Sequence, residues 1–274
     1  MSRFGTPVRD AIDSAMIPLT AAGCENPRLD AEVLLAAALG VSRAELISDS
    51  RREVAGPTAR VFMDFVRRRR EREPVAYITG RKGFRFIELA VDRRVLIPRP
   101  ETEFVVEAAL SLRSGARVID VGTGSGAIAL ALKQERPDLQ VLATDVSADA
   151  LDVARHNALR LGLEVEFVHG DLWAGLEADA IVSNPPYVEA DARLMPDVGL
   201  FEPHSALFAG ADGLDVIRRL AAAPVPFLAV EHGHEQAEAV ETLLRAAGFT
   251  DVARVRDLAG IERVAVGLRD APSS

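Results

Sequence analysis

The sequence predicts an α/β protein that combines a small N-terminal helical domain with a doubly wound, mostly parallel sheet. Three observations lead to this prediction. From Arg117 onward, apolar strand-like runs alternate with helix-like segments. The first 73 residues carry only helical patterns. Two strand-like runs near the C-terminus leave no room for a crossover helix, so we expect them to pair antiparallel.

The helical domain is expected to span residues 1–73. Its helices are predicted at Pro7 to Ala22, Leu29 to Leu39, from Ser42 onward, and Thr58 to Arg72. Ser42 and Glu45 have the spacing of a capping box. The fourth helix should present an apolar face made of Val61, Phe62, Phe65 and Val66.

Four consecutive arginines, Arg67 to Arg70, end the fourth predicted helix. They suggest either a nucleic-acid contact or a solvated helix end. We favour the solvated end, because cations interact favourably with the dipole at a helix C-terminus.

A linker, residues 74–97, is expected to carry a β-hairpin. Pro74 ends the preceding helix, and the runs Tyr77 to Gly80 and Gly83 to Val91 have β-type composition with turn residues. The sheet domain then spans residues 98–274, and Pro100 or Glu101 suits the first turn of its first helix.

Seven strands are expected in the sheet domain, with helices between most of them. The predicted strands read RVIDVG, QVLATD, VEFVHGD, AIVSNPP, PFLAVE, DVARVRD and ERVAVGL. The predicted helices are Ala127 to Glu135, Ala148 to Leu161, Leu214 to Ala223 and Gln236 to Ala247.

Charge and composition limit the classes of function. Residues 1–90 carry 15 Lys and Arg against 12 Asp and Glu, whereas the remainder carries 17 against 29. An acidic second part argues against a broad nucleic-acid groove, whose affinity rests on phosphate contacts. The apolar runs are far shorter than the ~20 residues that span a bilayer, and the N-terminus has no apolar signal stretch. We expect a cytoplasmic monomer without stable nucleic-acid or membrane contacts.

The single cysteine, Cys24, excludes an internal disulfide and fits a reducing compartment. We interpret it as structural. His232 and His234, flanked by Glu231 and Glu235, could suggest a metal site. Their position after a strand, without a third ligand cluster, favours a loop and a helix start instead, so no metal is expected.

The motif Asn184-Pro185-Pro186-Tyr187 directly follows an apolar run. Two consecutive prolines cannot continue a central strand, because each lacks an N–H and has a fixed φ. Asn184 should therefore lie just past a strand end, which is where open α/β sheets bind ligands.

A glycine-rich turn follows the first strand of the sheet domain, in the order Asp120, Val121, Gly122, Thr123, Gly124, Ser125, Gly126. The glycine spacing also satisfies a dinucleotide fingerprint, and Asp145 lies where its acidic partner would be. However, a carboxylate at Asp120 would repel a pyrophosphate and would suit the cationic S-adenosylmethionine. We favour the methyl donor, with NAD as the open alternative.

Acidic residues end three successive strands. Asp145 can accept from both ribose hydroxyls, although it can also belong to the N-terminal cap of the next helix together with Ser147. Asp171 can accept from an adenine amino group, with Leu172 or Trp173 against the ring, although it can also be a turn residue. Three carboxylates at three strand ends favour the ligand interpretation.

The side chain of Asn184 and the carbonyl of Pro185 offer two acceptors for the NH₂ of an amide or nucleobase. Pro186 cannot donate, and Tyr187 offers a flat face for stacking. An amide nitrogen is a poor nucleophile, so positioning against a cationic methyl donor would supply most of the rate. The long segment after Tyr187, which includes the exposed-looking Phe201 and Glu202, is a candidate substrate loop.

With these residues in place, the chain resembles the release factor glutamine methyltransferases of the HemK/PrmC type over nearly its whole length. The resemblance rests on PVAYITG at 74–80, LIPRPETE at 96–103, DVGTGSGAIALAL at 120–132, the NPPY motif, FEP at 201–203 and EHG at 231–233. It implies a Rossmann-like, S-adenosylmethionine-dependent fold and methyl transfer to the glutamine of the Gly-Gly-Gln motif in class-1 peptide chain release factors.

The resemblance also implies residue roles. The donor would be held by residues 122–126, Asp145 and Leu172, and the glutamine amide by Asn184, Pro185 and Tyr187. The helical domain and the loop around Phe201 and Glu202 would grip the release factor. One departure is the connection Ala221 to Pro226, which lacks the paired glycines usual in relatives. Alternatives are a nucleobase amino methyltransferase, an NAD-dependent oxidoreductase and a non-catalytic binding module.

Overall fold

The computed structural model describes residues 5–270. These residues form two compact units. The helical unit contains the chain up to Gly80 together with Leu194–Phe201, and the sheet unit contains Arg81–Arg193 and the chain from Glu202 onward. Residues 1–4, which belong to the N-terminal stretch expected to lack a signal sequence, lie outside the described residues.

Short strands and five helices make up the first part of the helical unit. They are β1 (Thr6–Pro7), α1 (Val8–Ala21), α2 (Pro27–Leu39), α3 (Arg43–Ser48), β2 (Glu53–Val54), α4 (Gly56–Arg70) and α5 (Val75–Thr79). β1 and β2 pair antiparallel. The predicted capping box is confirmed: Glu45 N donates to Ser42 Oγ at 3.2 Å, and Ser42 N donates to Glu45 Oε2 at 2.7 Å.

Two predictions for residues of this unit are wrong, one from the expected linker and one from the fourth helix. The run Tyr77 to Gly80 was expected to be β-type, but Val75–Thr79 is helical, because Tyr77 and Ile78 are buried and α5 packs against α2. Val61 was expected on the apolar face of α4, but its side chain is exposed. Cys24 is buried in the core of this unit.

The solvated-end interpretation of Arg67 to Arg70 is wrong for Arg69. Arg69 is 6% exposed, with Nε donating to Asp30 Oδ2 and Nη1 donating to Asp197 Oδ2, both at 2.7 Å. Arg72 also pairs with Asp197. Arg67, by contrast, is exposed and pairs with Asp64 and Glu71 of its own helix. The buried ion pairs bring Leu194–Phe201 into the helical unit.

The sheet unit begins with the predicted hairpin, β3 (Arg81–Phe84) and β4 (Ile87–Ala90). A 3-10 turn at Pro100–Thr102 leads into α6 (Glu103–Ala109). The next elements are β5 (Arg117–Val121), α7 (Ala127–Glu135), β6 (Gln140–Asp145), α8 (Ala148–Leu161), β7 (Glu166–His169) and β8 (Ala180–Ser183).

After β8 the chain contributes α9 (Pro196–Gly199) to the helical unit and then returns to the sheet unit. A 3-10 turn lies at His204–Ala206. The remaining elements are α10 (Asp215–Ala221), β9 (Phe227–Glu231), α11 (Ala237–Ala246), β10 (Asp251–Arg256) and β11 (Glu262–Leu268).

The seven-stranded sheet has the order β10-β11-β9-β8-β5-β6-β7. The strands β9, β8, β5, β6 and β7 run parallel, and β11 pairs antiparallel with both β9 and β10. The predicted α/β fold is therefore confirmed. Ile119, Ile181 and Leu228 are fully buried, as expected for central strands covered on both faces. No helix among residues 5–270 is long and apolar enough to cross a membrane.

Candidate active site

The site lies at the carboxyl edge of the parallel strands, where four loops converge. The register pairs Val121 of β5 with Ser183 of β8 and with Thr144 of β6, so these strands end almost level. A cavity of about 300 Å³ opens at this edge. Among the residues predicted to hold a ligand, its walls include Gly122, Gly124, Asp145, Asp171, Leu172, Asn184 and Pro186.

The glycine-rich loop turns tightly because its backbone is tied to the neighbouring strand. The N–H groups of Gly122 and Thr123 both donate to the carbonyl of Thr144, at 2.9 and 3.0 Å. Gly126 has a φ of +85°, and a Cβ there would lie 2.8 Å from Leu130 Cδ1. Glycine is therefore required at this position by both backbone conformation and space.

Asp120 is placed differently from the prediction. Its side chain is fully buried, and Oδ2 accepts from Thr123 Oγ1 at 2.6 Å and from Ala129 N at 3.1 Å. Its Oδ1 has no hydrogen-bond partner among the described residues. Burial raises the pKa of Asp120 to about 7. The Asp120 carboxyl group holds the glycine-rich loop onto α7. It does not line the cavity, so the geometry shows no direct path from this group to a ligand bound there.

The predicted residues Thr123, Ser125 and Gly126 also stay out of the cavity wall. Thr123 and Ser125 are buried. The side-chain amide of Asn157 on α8 donates to the Ser125 carbonyl at 2.9 Å. These three residues shape the loop, whereas Gly122 and Gly124 present it to the cavity.

Asp145 combines the two roles that the sequence left open. Its Oδ2 accepts from Gly124 N at 2.9 Å, and its Oδ1 accepts from Ser147 N at 2.9 Å. Ser147 is the N-cap of α8, since its Oγ accepts from Ala150 N. Asp145 nevertheless lines the cavity, and each carboxylate oxygen keeps a further acceptor position.

The loop after β7 supplies Asp171 and Leu172 to the cavity wall. Asp171 is exposed and forms an ion pair with Arg219 of α10, which also lines the cavity. Leu172 has a φ of +50°, an uncommon conformation for a side-chain-bearing residue, and its carbonyl accepts from Thr144 Oγ1 at 2.5 Å. Leu172 and Trp173 both pack against the hydrophobic core, and of the two only Leu172 also lines the cavity.

The motif at 184–187 is held by a chain of three hydrogen bonds. Asn184 Nδ2 donates to Thr102 Oγ1 at 2.9 Å, and Thr102 Oγ1 donates to Glu231 Oε2 at 2.6 Å. Tyr187 OH donates to the other oxygen of the same carboxyl group, Glu231 Oε1, at 3.0 Å. Asn184 Oδ1 is buried and has no partner among residues 5–270. One acceptor of the predicted pair is therefore available for a ligand.

Burial has the largest effect on the pKa values of Glu231 and Tyr187 in this series of hydrogen bonds. It raises the pKa of Glu231 to about 7, against the lowering effect of the hydrogen bonds from Thr102 and Tyr187. Burial and the adjacent Glu231 raise the pKa of the Tyr187 hydroxyl above its ordinary value. Tyr187 is therefore a neutral hydrogen-bond donor, and its ring edge is fixed by Glu231.

Glu202 was expected to be an exposed substrate contact, but its side chain is buried. It accepts from Ile97 N at 3.1 Å and from Arg99 Nη2 at 2.5 Å. Phe201, its neighbour in the sequence, belongs to the helical unit. Glu202 thus fixes the segment that precedes Thr102.

The sequence interpretation missed Thr102 and Glu231 as parts of the site. One signal was available for Glu231: a carboxylate ends an otherwise apolar strand at the same sheet edge as the other polar residues. Arg219 was missed as well, since it lies within a helix and only its pairing with Asp171 brings it to the cavity.

Comparison with known proteins is consistent with this geometry. The family model described as the PrmC N-terminal domain matches residues 10–80, and the model described as the methyltransferase small domain matches residues 101–198. A release factor glutamine methyltransferase of Caulobacter vibrioides is 42% identical, over 91% of this chain and 92% of its own. One from Xylella fastidiosa is 46% identical, over 91% of this chain and 96% of its own.

Among solved structures, the hMettl16 catalytic domain, crystallised in complex with an RNA hairpin from the MAT2A 3'UTR, superposes with a TM-score of 0.55. It is 17% identical and covers 68% of this chain and 77% of its own. At that identity the likeness concerns the fold alone.

Proposed function

The chain belongs to the release factor glutamine methyltransferase family, and we propose that it methylates the side-chain N5 of a glutamine in peptide chain release factors. The acceptor is the glutamine of the Gly-Gly-Gln motif in class-1 release factors. The methyl donor is S-adenosylmethionine, and the second product is S-adenosylhomocysteine.

The observation that carries this proposal is the unpaired carbonyl oxygen of Asn184 at the strand edge. A buried acceptor without a partner costs about 1–3 kcal/mol, which a bound NH₂ group would recover. Asn184 also lines the cavity. An amide nitrogen held at Asn184 would therefore lie beside the space where a donor binds.

The cavity residues fit S-adenosylmethionine. The volume of the cavity, about 300 Å³, is at the lower end of the range of about 300–1,000 Å³ for small-molecule sites. Asp145 has acceptor positions for ribose hydroxyls, and Leu172 offers an apolar surface for an adenine. Gly122 and Gly124 let the backbone approach the donor closely, and Asp171 lies at the cavity wall for an amino group. Asp120 acts from inside the loop, as a buried carboxyl group without direct contact.

The bound donor supplies an electrophilic methyl group on a cationic sulfonium. The protein supplies position. Asn184 Oδ1 and the Pro185 carbonyl accept the two N–H groups of the glutamine amide, which leaves the nitrogen lone pair directed at the donor side. Pro186 cannot compete as a donor, and the ring of Tyr187 packs beside the planar amide. The amide nitrogen becomes acidic once the methyl group has been transferred, so no strong base is needed.

The helical unit and Phe201 bind the release factor in this proposal. Residues 91–274 carry 17 Lys and Arg against 29 Asp and Glu. This negative net charge favours a protein acceptor over a nucleic acid, because it would repel the phosphates of a nucleic acid. Methylation of a nucleobase amino group is therefore the alternative result that the following experiment would detect.

The test is methyl transfer from labelled S-adenosylmethionine to a purified release factor, beside a copy in which the motif glutamine is changed to alanine. We expect label on the first factor only. Asn184→Ala should abolish labelling while donor binding, measured by calorimetry, persists. Label on both factors would place the acceptor elsewhere. Label on RNA or DNA and on neither factor would replace the proposed substrate class.

A further inference from the structure

We propose that Thr102 and Glu231 are positioning residues that set which way the side-chain amide of Asn184 faces. The proposal rests on the proposed function, since an amide orientation matters only if Asn184 binds an acceptor NH₂. It assigns a role in the reaction to two buried residues that do not line the cavity.

The orientation follows from where the protons can go. Above its pKa of about 7, Glu231 is a carboxylate that only accepts hydrogen bonds, so the single proton of the Thr102 hydroxyl is directed at Glu231 Oε2. The Thr102 oxygen is then left as an acceptor. It can take a hydrogen bond from Asn184 Nδ2 but cannot donate to Asn184 Oδ1.

A flipped Asn184 amide would place two oxygens against each other, without a proton between them. The same flip would turn the NH₂ of Asn184 toward the NH₂ of the acceptor. Both contacts are unfavourable. The hydrogen bonds from Thr102 to Glu231 and from Asn184 to Thr102 therefore select the one orientation in which Asn184 Oδ1 can bind the NH₂ of the methyl acceptor. The unpaired state of Oδ1 agrees with this selection.

Strand register brings the carboxyl group to the motif. Ser183 at the end of β8 pairs with Val230 of β9, so Asn184 and Glu231 follow at neighbouring strand ends. The second oxygen of Glu231 accepts from Tyr187 OH at 3.0 Å. One carboxyl group therefore holds both ends of the four-residue motif, through Thr102 at Asn184 and directly at Tyr187.

The experiment compares Thr102→Val with Thr102→Ser at pH 8, where Glu231 is ionised. Valine keeps the shape of threonine without the hydroxyl, and serine keeps the hydroxyl. We expect Thr102→Val to lower kcat for release factor methylation about 10–100-fold, the effect of losing one buried hydrogen bond that orients the acceptor. KM should change little, because a protein substrate is bound mostly away from its reacting amide. Donor Kd should stay within about twofold, and Thr102→Ser should recover kcat to within about threefold.

Thr242→Val is the matched control, because the Thr242 hydroxyl is exposed on α11, donates to the Glu238 carbonyl at 2.9 Å and does not line the cavity. It should leave kcat unchanged. The proposal is overturned if Thr102→Val keeps kcat within twofold of the wild type, or if Thr102→Ser is as impaired as Thr102→Val. Failure of the proposed function is a separate result, since the wild-type enzyme itself would then leave the release factor unlabelled.

A second pair covers the case in which Thr102→Val does not fold. In Glu231→Gln the side-chain amide oxygen can still accept a hydrogen bond from Thr102. In Glu231→Leu the side chain has no acceptor. We expect kcat of Glu231→Gln to lie within about threefold of wild type and kcat of Glu231→Leu to fall about 10–100-fold. Leucine removes the acceptor of both Thr102 and Tyr187, so the two variants are compared at a temperature at which circular dichroism shows both to be folded. Equal activity of the two variants would refute the proposal.

Discussion

Glu231→Gln should change the pH dependence of folding in a defined direction. Glu231 is 1% exposed, and its burial raises its pKa from 4.5 to about 7. Between these pH values the folded protein keeps a proton that the unfolded chain has lost. The stability linked to this group is therefore fully present below pH 4.5 and is lost as the pH rises through about 7.

The size of the effect follows from the two pKa values. The difference between 4.5 and about 7 corresponds to about 3 kcal/mol, since one pKa unit is worth about 1.4 kcal/mol. Glutamine does not titrate, so the variant lacks this loss. The free energy of unfolding of Glu231→Gln minus that of the wild type should rise by about 2–3 kcal/mol between pH 5 and pH 8. Asp120, whose pKa burial also raises to about 7, is present in both proteins and cancels.

The assay is equilibrium unfolding in urea at several pH values, without the methyl donor. The chain has one tryptophan, Trp173, which packs against the core of the sheet unit, so its fluorescence reports on the unit that contains Glu231. Glu238→Gln, an exposed carboxyl group on α11, is the control and should show no such slope. A flat difference between Glu231→Gln and wild type across pH 5–8 would refute the assignment of burial as the dominant effect on Glu231.

Three further variants test other parts of the structure. Arg69→Gln leaves the half-buried carboxylates of Asp30 and Asp197 without the buried cation that they share, although Asp197 keeps Arg72. The free energy of unfolding, measured by circular dichroism, should fall by about 3 kcal/mol, and a loss below about 1 kcal/mol would contradict the network. Gly126→Ala introduces a Cβ at a left-handed φ and against the buried Leu130. The free energy of unfolding, measured by tryptophan fluorescence, should therefore fall by about 2–4 kcal/mol. An unchanged unfolding midpoint would mean that the loop relaxes freely. Asp145→Asn removes a charged acceptor from the cavity, so Kd for S-adenosylmethionine by calorimetry should rise about 10–100-fold, and an unaltered Kd would remove Asp145 from the donor site.

The sheet and its ligand edge are predictable from the sequence because their signals are local. The central strands β5 and β8 are short, buried and mostly apolar runs, and each is followed by residues whose own chemistry ends a strand. Gly122 stops β5 by adopting a positive φ, and Pro185 and Pro186 stop β8 by lacking N–H groups. Since parallel strands present their carboxyl ends at one edge, these stops locate the site without any knowledge of long-range contacts.

The contacts that orient the site are not local, and the sequence does not reveal them. Thr102 lies 82 residues from Asn184 and 129 residues from Glu231, and it resembles any residue near a helix start. Which of four adjacent arginines is buried likewise depends on Asp30 and Asp197, not on the run itself. Val75–Thr79 shows the same limit: Tyr77 and Ile78 favour strands intrinsically, but packing against α2 decides for a helix.

The helical unit is discontinuous in sequence, and this has a consequence for its biosynthesis. Its buried Arg69 emerges from the ribosome long before Asp197, which completes its ion pairs. Until then the nascent domain carries a partly compensated buried cation, so it reaches full stability only after most of the sheet unit's strands have been synthesised. A fragment that ends at Gly80 would keep this defect permanently. Exchange of helical domains between relatives therefore requires residues 194–201 to be transferred with the first 80.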